Sequence, residues 1–141
     1  MVGIKRDNMN TKLINIAALV SAFFGLLTIF AGGSVILDLF GMRELEGNYV
    51  PFVVWANFLC GFLYLIASYG FFRRKRWTAA LMKFAFWILI AAVIVLLFWI
   101  WNGELYENKT IVALSFRILV TVGLMWIARS FKRQIPLDAI L

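Results

Sequence analysis

The chain contains no histidine and a single cysteine, Cys60. An intrachain disulfide is therefore impossible. A Cys/His zinc site, histidine-ligated haem and a Cys-x-x-Cys redox pair are excluded as well. Acids are also scarce, seven against 14 Lys and Arg. None occurs between Asn8 and Leu37 or between Pro51 and Gly103. Proton-coupled transport needs a carboxylate inside the membrane, and Asp38, at the edge of an apolar run, comes nearest to one. An enzyme would have Asp38, Glu44 or Glu46 as general acid or base, with Tyr64 and Arg117 to stabilise charge. No nucleophile–base motif accompanies them. Repeats of 20–50 residues and low-complexity segments are missing too.

What remains is overwhelmingly apolar. Of the 141 residues, 64% are hydrophobic and 17% aromatic. A soluble domain is nearer 45–50% apolar, so the excess points to lipid. Four apolar runs follow one another, at 13–31, 52–72, 78–101 and 111–128. Each approaches the roughly 20 residues needed to cross a bilayer. The chain therefore reads as one all-α domain over 1–141, an integral membrane four-helix bundle. The first run is longer than the apolar core of a secretory signal, so it reads as a span rather than a cleaved leader.

Between the second and third runs stands Arg73-Arg74-Lys75-Arg76-Trp77. Four consecutive cations resist transfer across a membrane and set the side every other segment faces. Lys5, Arg6 and Lys12, this block, and Arg129, Lys132 and Arg133 fall on one side of a four-span arrangement. The opposite loops hold Arg43 and Lys109 among Asp38, Glu44, Glu46, Glu104 and Glu107. The positive-inside rule then places both termini in the cytoplasm. A net charge of +7 concentrated at membrane edges implies topology and anionic lipid headgroups, not nucleic acid. Trp55, Trp99 and Trp101 mark the outer edge, and Trp77 and Trp126 the inner one. The reading is a multi-pass protein of a bacterial cytoplasmic membrane.

Gly32-Gly33 is expected to break or kink the first helix. The following Val35 to Phe40 is too short to span; it continues that helix or lies as a short amphipathic or re-entrant stretch at the interface. The third run, with no polar side chain from Phe84 to Phe98 except the Trp87 indole, is expected to be the most lipid-exposed helix. Asn108-Lys109-Thr110 matches a glycosylation acceptor, but it lies too close to the membrane surface for glycosylation.

Polar residues inside the spans mark the places of interest, because they face protein or a cavity. Asn57, Gly61, Tyr64 and Ser68 recur at i, i+4, i+7 and i+11, one face of a helix. Ser21, Gly25, Thr28 and Gly32 do the same on the first span, and Arg117 and Thr121 share a face on the fourth. At ~1.5 Å per residue, Arg117 lies roughly 9 Å, Asn57 roughly 7 Å and Thr28 roughly 6 Å below the outer helix ends. The acidic first loop would cover that level. The expectation is an outer-leaflet polar pocket in which Arg117, Asn57, Tyr64, Thr28 and Asp38 bind a lipid, a quinone or an anionic ligand.

Two readings of these residues stay open. Arg117 either contacts such a ligand or forms an ion pair with Asp38, Glu44 or Glu104 that ties loop to bundle. Asn57, Tyr64 and Ser68 either line a path or join helices by hydrogen bonds. Ala17-x-x-x-Ser21-x-x-x-Gly25 permits close helix approach, within the monomer or at a homodimer seam. Cys60 reads as an inert small apolar residue. No cofactor is expected. Membrane lipids are the expected partners, together with a larger membrane complex in which the chain is an accessory subunit.

In size and span number the chain resembles the small multidrug-resistance exporters, but it lacks their first-span glutamate. That departure counts against the alternative of a small transporter or channel. The run from Phe62 to Ala80, FLYLIASYGFFRRKRWTAA, with Ala31-Gly32-Gly33 at the end of the first span, resembles the second-to-third helix hairpin of DoxX-like four-helix membrane proteins. The likeness covers about half the chain. It implies a four-helix membrane fold, with some members described as small subunits of quinone-linked oxidoreductases. No catalytic residue carries over.

Overall fold

The structure is a computed structural model. It describes residues 2–48 and 50–132, with backbone alone at 2–10, 43, 46, 131 and 132. Tyr49 and the segment led by Pro136 lie outside the described residues, as do the side chains of Lys5, Arg6, Arg43, Glu46, Lys132 and Arg133. The elements are α1 (Val2–Ile36), a 3-10 turn (Leu39–Gly41), α2 (Met42–Glu46), α3 (Pro51–Phe72), α4 (Trp77–Trp101) and α5 (Asn108–Lys132). Among the described residues there is no strand.

Four stretches are long and apolar enough to cross a membrane: Thr11–Ile36, Pro51–Phe72, Trp77–Trp101 and Asn108–Ser130. Their outward faces carry large apolar side chains, Leu19, Phe23, Phe98, Leu119 and Trp126 among them, each at least two-thirds exposed or close to it. Such a surface suits hydrocarbon and would be a liability in water. The chain is thus a multi-pass helical membrane protein.

Two helix pairings organise the bundle. α1 and α3 meet through their small polar faces. A Cβ added at Gly61 would lie 2.6 Å from Ile29 Cγ1 and 3.0 Å from the Ile29 nitrogen. One added at Gly25 would lie 2.9 Å from the Gly61 carbonyl oxygen. Backbones approach this closely only where side chains are absent. On the basic-end side of the crossing, Ser21 Oγ donates to the Tyr64 carbonyl at 2.6 Å and Ser68 Oγ to the Ala18 carbonyl at 2.7 Å. The Ala17–Ser21–Gly25 pattern therefore packs inside the monomer. α4 presents Met82, Ala85, Leu89, Ala92 and Leu96, buried at alternating spacings of three and four, as a seam between α3 and α5. Cys60 is fully buried there, with its Sγ 3.8 Å from the Ala85 carbonyl oxygen.

Several expectations need correction. Gly32-Gly33 does not break α1, which continues to Ile36. Both glycines instead make room for Phe58, whose Cβ would lie 3.1 Å from a Cβ at Gly32. The chain turns at Leu37–Asp38, with Asp38 at φ 52° and Phe40 at φ 55°. The stretch after α1 is a single 3-10 turn followed by the five-residue α2. α5 begins at Asn108, one turn earlier than the apolar run suggests, because Lys109 and Thr110 are already helical. α4 shares the greatest exposure with α5: both are less buried than α1 and α3. The reason is that α1 and α3 bury each other through small residues, while α4 and α5 both turn a broad apolar face outward.

Candidate functional site

The bundle has a basic end, at the 73–76 turn, and an acidic end, where α2 meets the 102–107 loop. Two hydrogen bonds join the loops at the acidic end. Lys109 Nζ donates to the Leu45 carbonyl at 2.9 Å, and the Asn48 amide donates to Glu107 Oε1 at 3.2 Å. Trp99 Nε1 adds a bond to the Leu105 carbonyl at 3.0 Å.

Beneath these loops is a cavity of about 160 Å³ where α1, α3 and α5 converge. Ala31, Gly32 and Val35 form its α1 wall, and Val53 and Asn57 line it from α3. Lys109, Ala113 and Arg117 line it from α5. Arg117 and Asn57 are half-buried, and the Asn57 side-chain oxygen is buried with no hydrogen bond from any described group. A buried acceptor left so costs free energy unless something donates to it. The cavity thus offers two cations, an amide and an unused acceptor within apolar walls. That combination suits a small group bearing negative charge and a hydroxyl. At about 30 Å³ per water in the liquid, the space holds on the order of five non-hydrogen atoms, the size of a phosphate or a carboxylate.

The anticipated residues divide here. Arg117 and Asn57 share the cavity. Thr28 does not line it; it is buried at 1% exposure, one helical turn further from the acidic end than Ala31–Gly32. Asp38 sits in the turn after α1, outside the cavity wall. Tyr64 is fully buried in the bundle centre. Its hydroxyl lies 2.5 Å from Thr121 Oγ1, and Thr121 Oγ1 donates to the Arg117 carbonyl at 2.7 Å. A hydroxyl has one proton to donate, so Tyr64 is the donor to Thr121. The chain Tyr64, Thr121, Arg117 carbonyl fixes the α5 backbone under the cavity and leaves the tyrosine proton committed. Phe24 packs its ring 5.2 Å from that of Tyr64 and 5.8 Å from that of Phe116, joining α1 to α3 and α5.

Lys109 was missed as a lining residue. Its signal is spacing: Lys109, Ala113 and Arg117 stand at i, i+4 and i+8, visible once the helix is begun at Asn108. Asn15 was missed at the other end. It is exposed on α1, one turn from Thr11, in a groove between α1 and α3. Arg73, Arg74, Lys75 and Arg76 form the turn between α3 and α4, with Arg73 to Lys75 exposed and Arg76 half-buried. Among the described residues no three metal-ligating side chains converge.

No family model, curated protein or solved structure matches the chain. The likeness to DoxX-like proteins thus rests on the 62–80 run and Ala31-Gly32-Gly33 alone.

Proposed function

We propose that this protein binds a small anionic headgroup, phosphate or carboxylate, presented by a lipid-soluble ligand to the cavity between α1, α3 and α5. The observation behind this reading is the pairing of Arg117 and Lys109 with the unused Asn57 oxygen around a space of about 160 Å³. The cations neutralise the charge, and the Asn57 oxygen accepts from a hydroxyl, which a phosphate monoester carries itself and a carboxylate ligand must carry on a neighbouring carbon. Measured from the helix ends, Arg117 lies roughly 14 Å and Asn57 roughly 9 Å in, at ~1.5 Å per residue. The ligand therefore has its head below the interface, with an apolar remainder in the bilayer. Cation counts orient the bundle with the 73–76 turn and both termini in the cytoplasm of a bacterial inner membrane, and the cavity in the outer half.

Native mass spectrometry in mild detergent tests this, on wild type beside Arg117→Leu and Asn57→Leu. The expected result is a defined acidic small molecule on wild type, lost from both folded variants. If wild type carries no such molecule and Arg117→Leu only melts earlier, Arg117 is a tether and the reading fails.

A further inference from the structure

Beside the α1–α3 contact, towards the basic end, is an open groove of about 580 Å³. Ala18 and Ala22 form its depression on α1, and Leu65 and Phe72 its wall on α3. Three polar residues line the groove: Ser68, whose hydroxyl donates to the Ala18 carbonyl, and the exposed Asn15 and Tyr69. Exposed amides on a spanning helix are costly against hydrocarbon and mark contact with something polar.

The mouth of the groove is basic. The Arg73 guanidinium lies over the Tyr69 ring, 5.9 Å from its centroid. Arg74 Nη2 donates to Thr11 Oγ1 at 3.0 Å. Tyr69 and Arg73 are one turn apart on α3, as Thr11 and Asn15 are on α1, so cations and polar groups converge from both helices. No acid occurs from 8 to 37 or from 51 to 103, so neither helix carries one alongside the groove; the one acid of α1, Asp7, stands a turn before Thr11 in the chain.

We infer that this groove holds one anionic phospholipid. Its phosphate sits between Arg73 and Arg74, its ester region meets Asn15 and Tyr69, and an acyl chain lies over Ala18 and Ala22. From Asn15 to Ala22 the groove runs about 10 Å, two-thirds of a leaflet of roughly 15 Å. It shares α1 and α3 with the Arg117 cavity but none of its lining residues, and it lies at the opposite end of the bundle, so either assignment can fail alone.

The test uses the full chain in neutral detergent with phosphatidylglycerol and phosphatidylcholine of matched acyl chains, counted by native mass spectrometry. Wild type retains one phosphatidylglycerol in preference to phosphatidylcholine. A cation near an anionic headgroup contributes about 1 kcal/mol, so Arg73→Gln reduces that preference about fivefold. Ala22→Trp fills the depression and reduces retention of the lipid itself. Arg129→Gln removes an equal charge from α5 and leaves the preference unchanged. Millimolar inorganic phosphate does not displace the lipid. Equal retention of the two lipids by wild type overturns the proposal, as does an equal effect of Arg129→Gln. Displacement by inorganic phosphate would show a headgroup site without a groove. If Ala22→Trp converts a dimer to a monomer and spares lipid, the groove belongs to a second copy of the chain.

Discussion

The two ends of this bundle stop a helix with the same hydrogen bonds and different residues. At the acidic end α4 closes with Gly103 N–H to the Ile100 carbonyl at 3.0 Å and Glu104 N–H to the Trp99 carbonyl at 3.2 Å. At the basic end α3 closes with Arg74 N–H to the Phe71 carbonyl at 3.1 Å and Lys75 N–H to the Gly70 carbonyl at 2.8 Å. Both are Schellman closures, which need a left-handed residue. Gly103 takes φ 76° without strain, whereas Arg74 takes φ 54° with a full side chain. The basic end thus accepts local strain and keeps an uninterrupted run of cations, one of which reaches Thr11. The acidic end closes α4 on a glycine and joins its loops through Lys109 and Glu107; its own left-handed non-glycine residues, Asp38 and Phe40, are in the turn after α1.

Both ends hang from the α1–α3 crossing, so the largest effect is expected there. Gly61→Leu drives a side chain into Ile29, including its backbone nitrogen. Overpacking of this kind costs about 3 kcal/mol, and relief by a moving side chain is blocked by main chain. Denaturation in mixed micelles should show a loss of that order, with the anionic ligand and the phospholipid both released. Loss of ligand at one end alone would mean that the ends are positioned independently.

Exchanging the closing residues tests the comparison itself. Gly103→Ala places a Cβ in the left-handed region and should lower stability by about 1 kcal/mol. Arg74→Gly removes the same strain together with an exposed hydrogen bond to Thr11, so it should raise stability by about half as much. Opposite signs in thermal melts support the account. A loss of stability in Arg74→Gly would show that the Thr11 contact outweighs the backbone term.

The four helices were legible in the sequence because hydropathy is summed over some twenty residues and tolerates error at each. Which faces meet was legible from spacing: Ser21 and Gly25 on α1, and Gly61 and Ser68 on α3, recur with the helical period and do face each other. Local chemistry misled at Gly32-Gly33. Two glycines weaken a helix in isolation, yet a neighbouring aromatic, Phe58, needs the space they leave. The cavity was legible only in part. Depth estimates counted from apolar boundaries, and α5 starts a turn before its apolar run, so Arg117 lies deeper than that count gave. Thr28 and Tyr64 share the periodic faces of Gly32 and Asn57, but periodicity does not say which turn borders a cavity. Asn15 was passed over because its face is not the one that packs.

Midway between the two ends, Tyr64 gives a small effect and the sharpest separation. It stands on the same face as Asn57, two turns further along α3, and its proton goes to Thr121, whose own proton goes to the Arg117 carbonyl. Tyr64→Phe keeps the ring against Phe24 and removes one donor from an oxygen that continues to donate. Interhelical hydrogen bonds between membrane helices average about 0.6 kcal/mol, and a loss of that size is expected in denaturation. Retention of the acidic ligand should match wild type, in contrast to Arg117→Leu. Should Tyr64→Phe release the ligand as Arg117→Leu does, the hydroxyl takes part in holding it, and the floor of the cavity must lie deeper than Arg117 and Asn57 now place it.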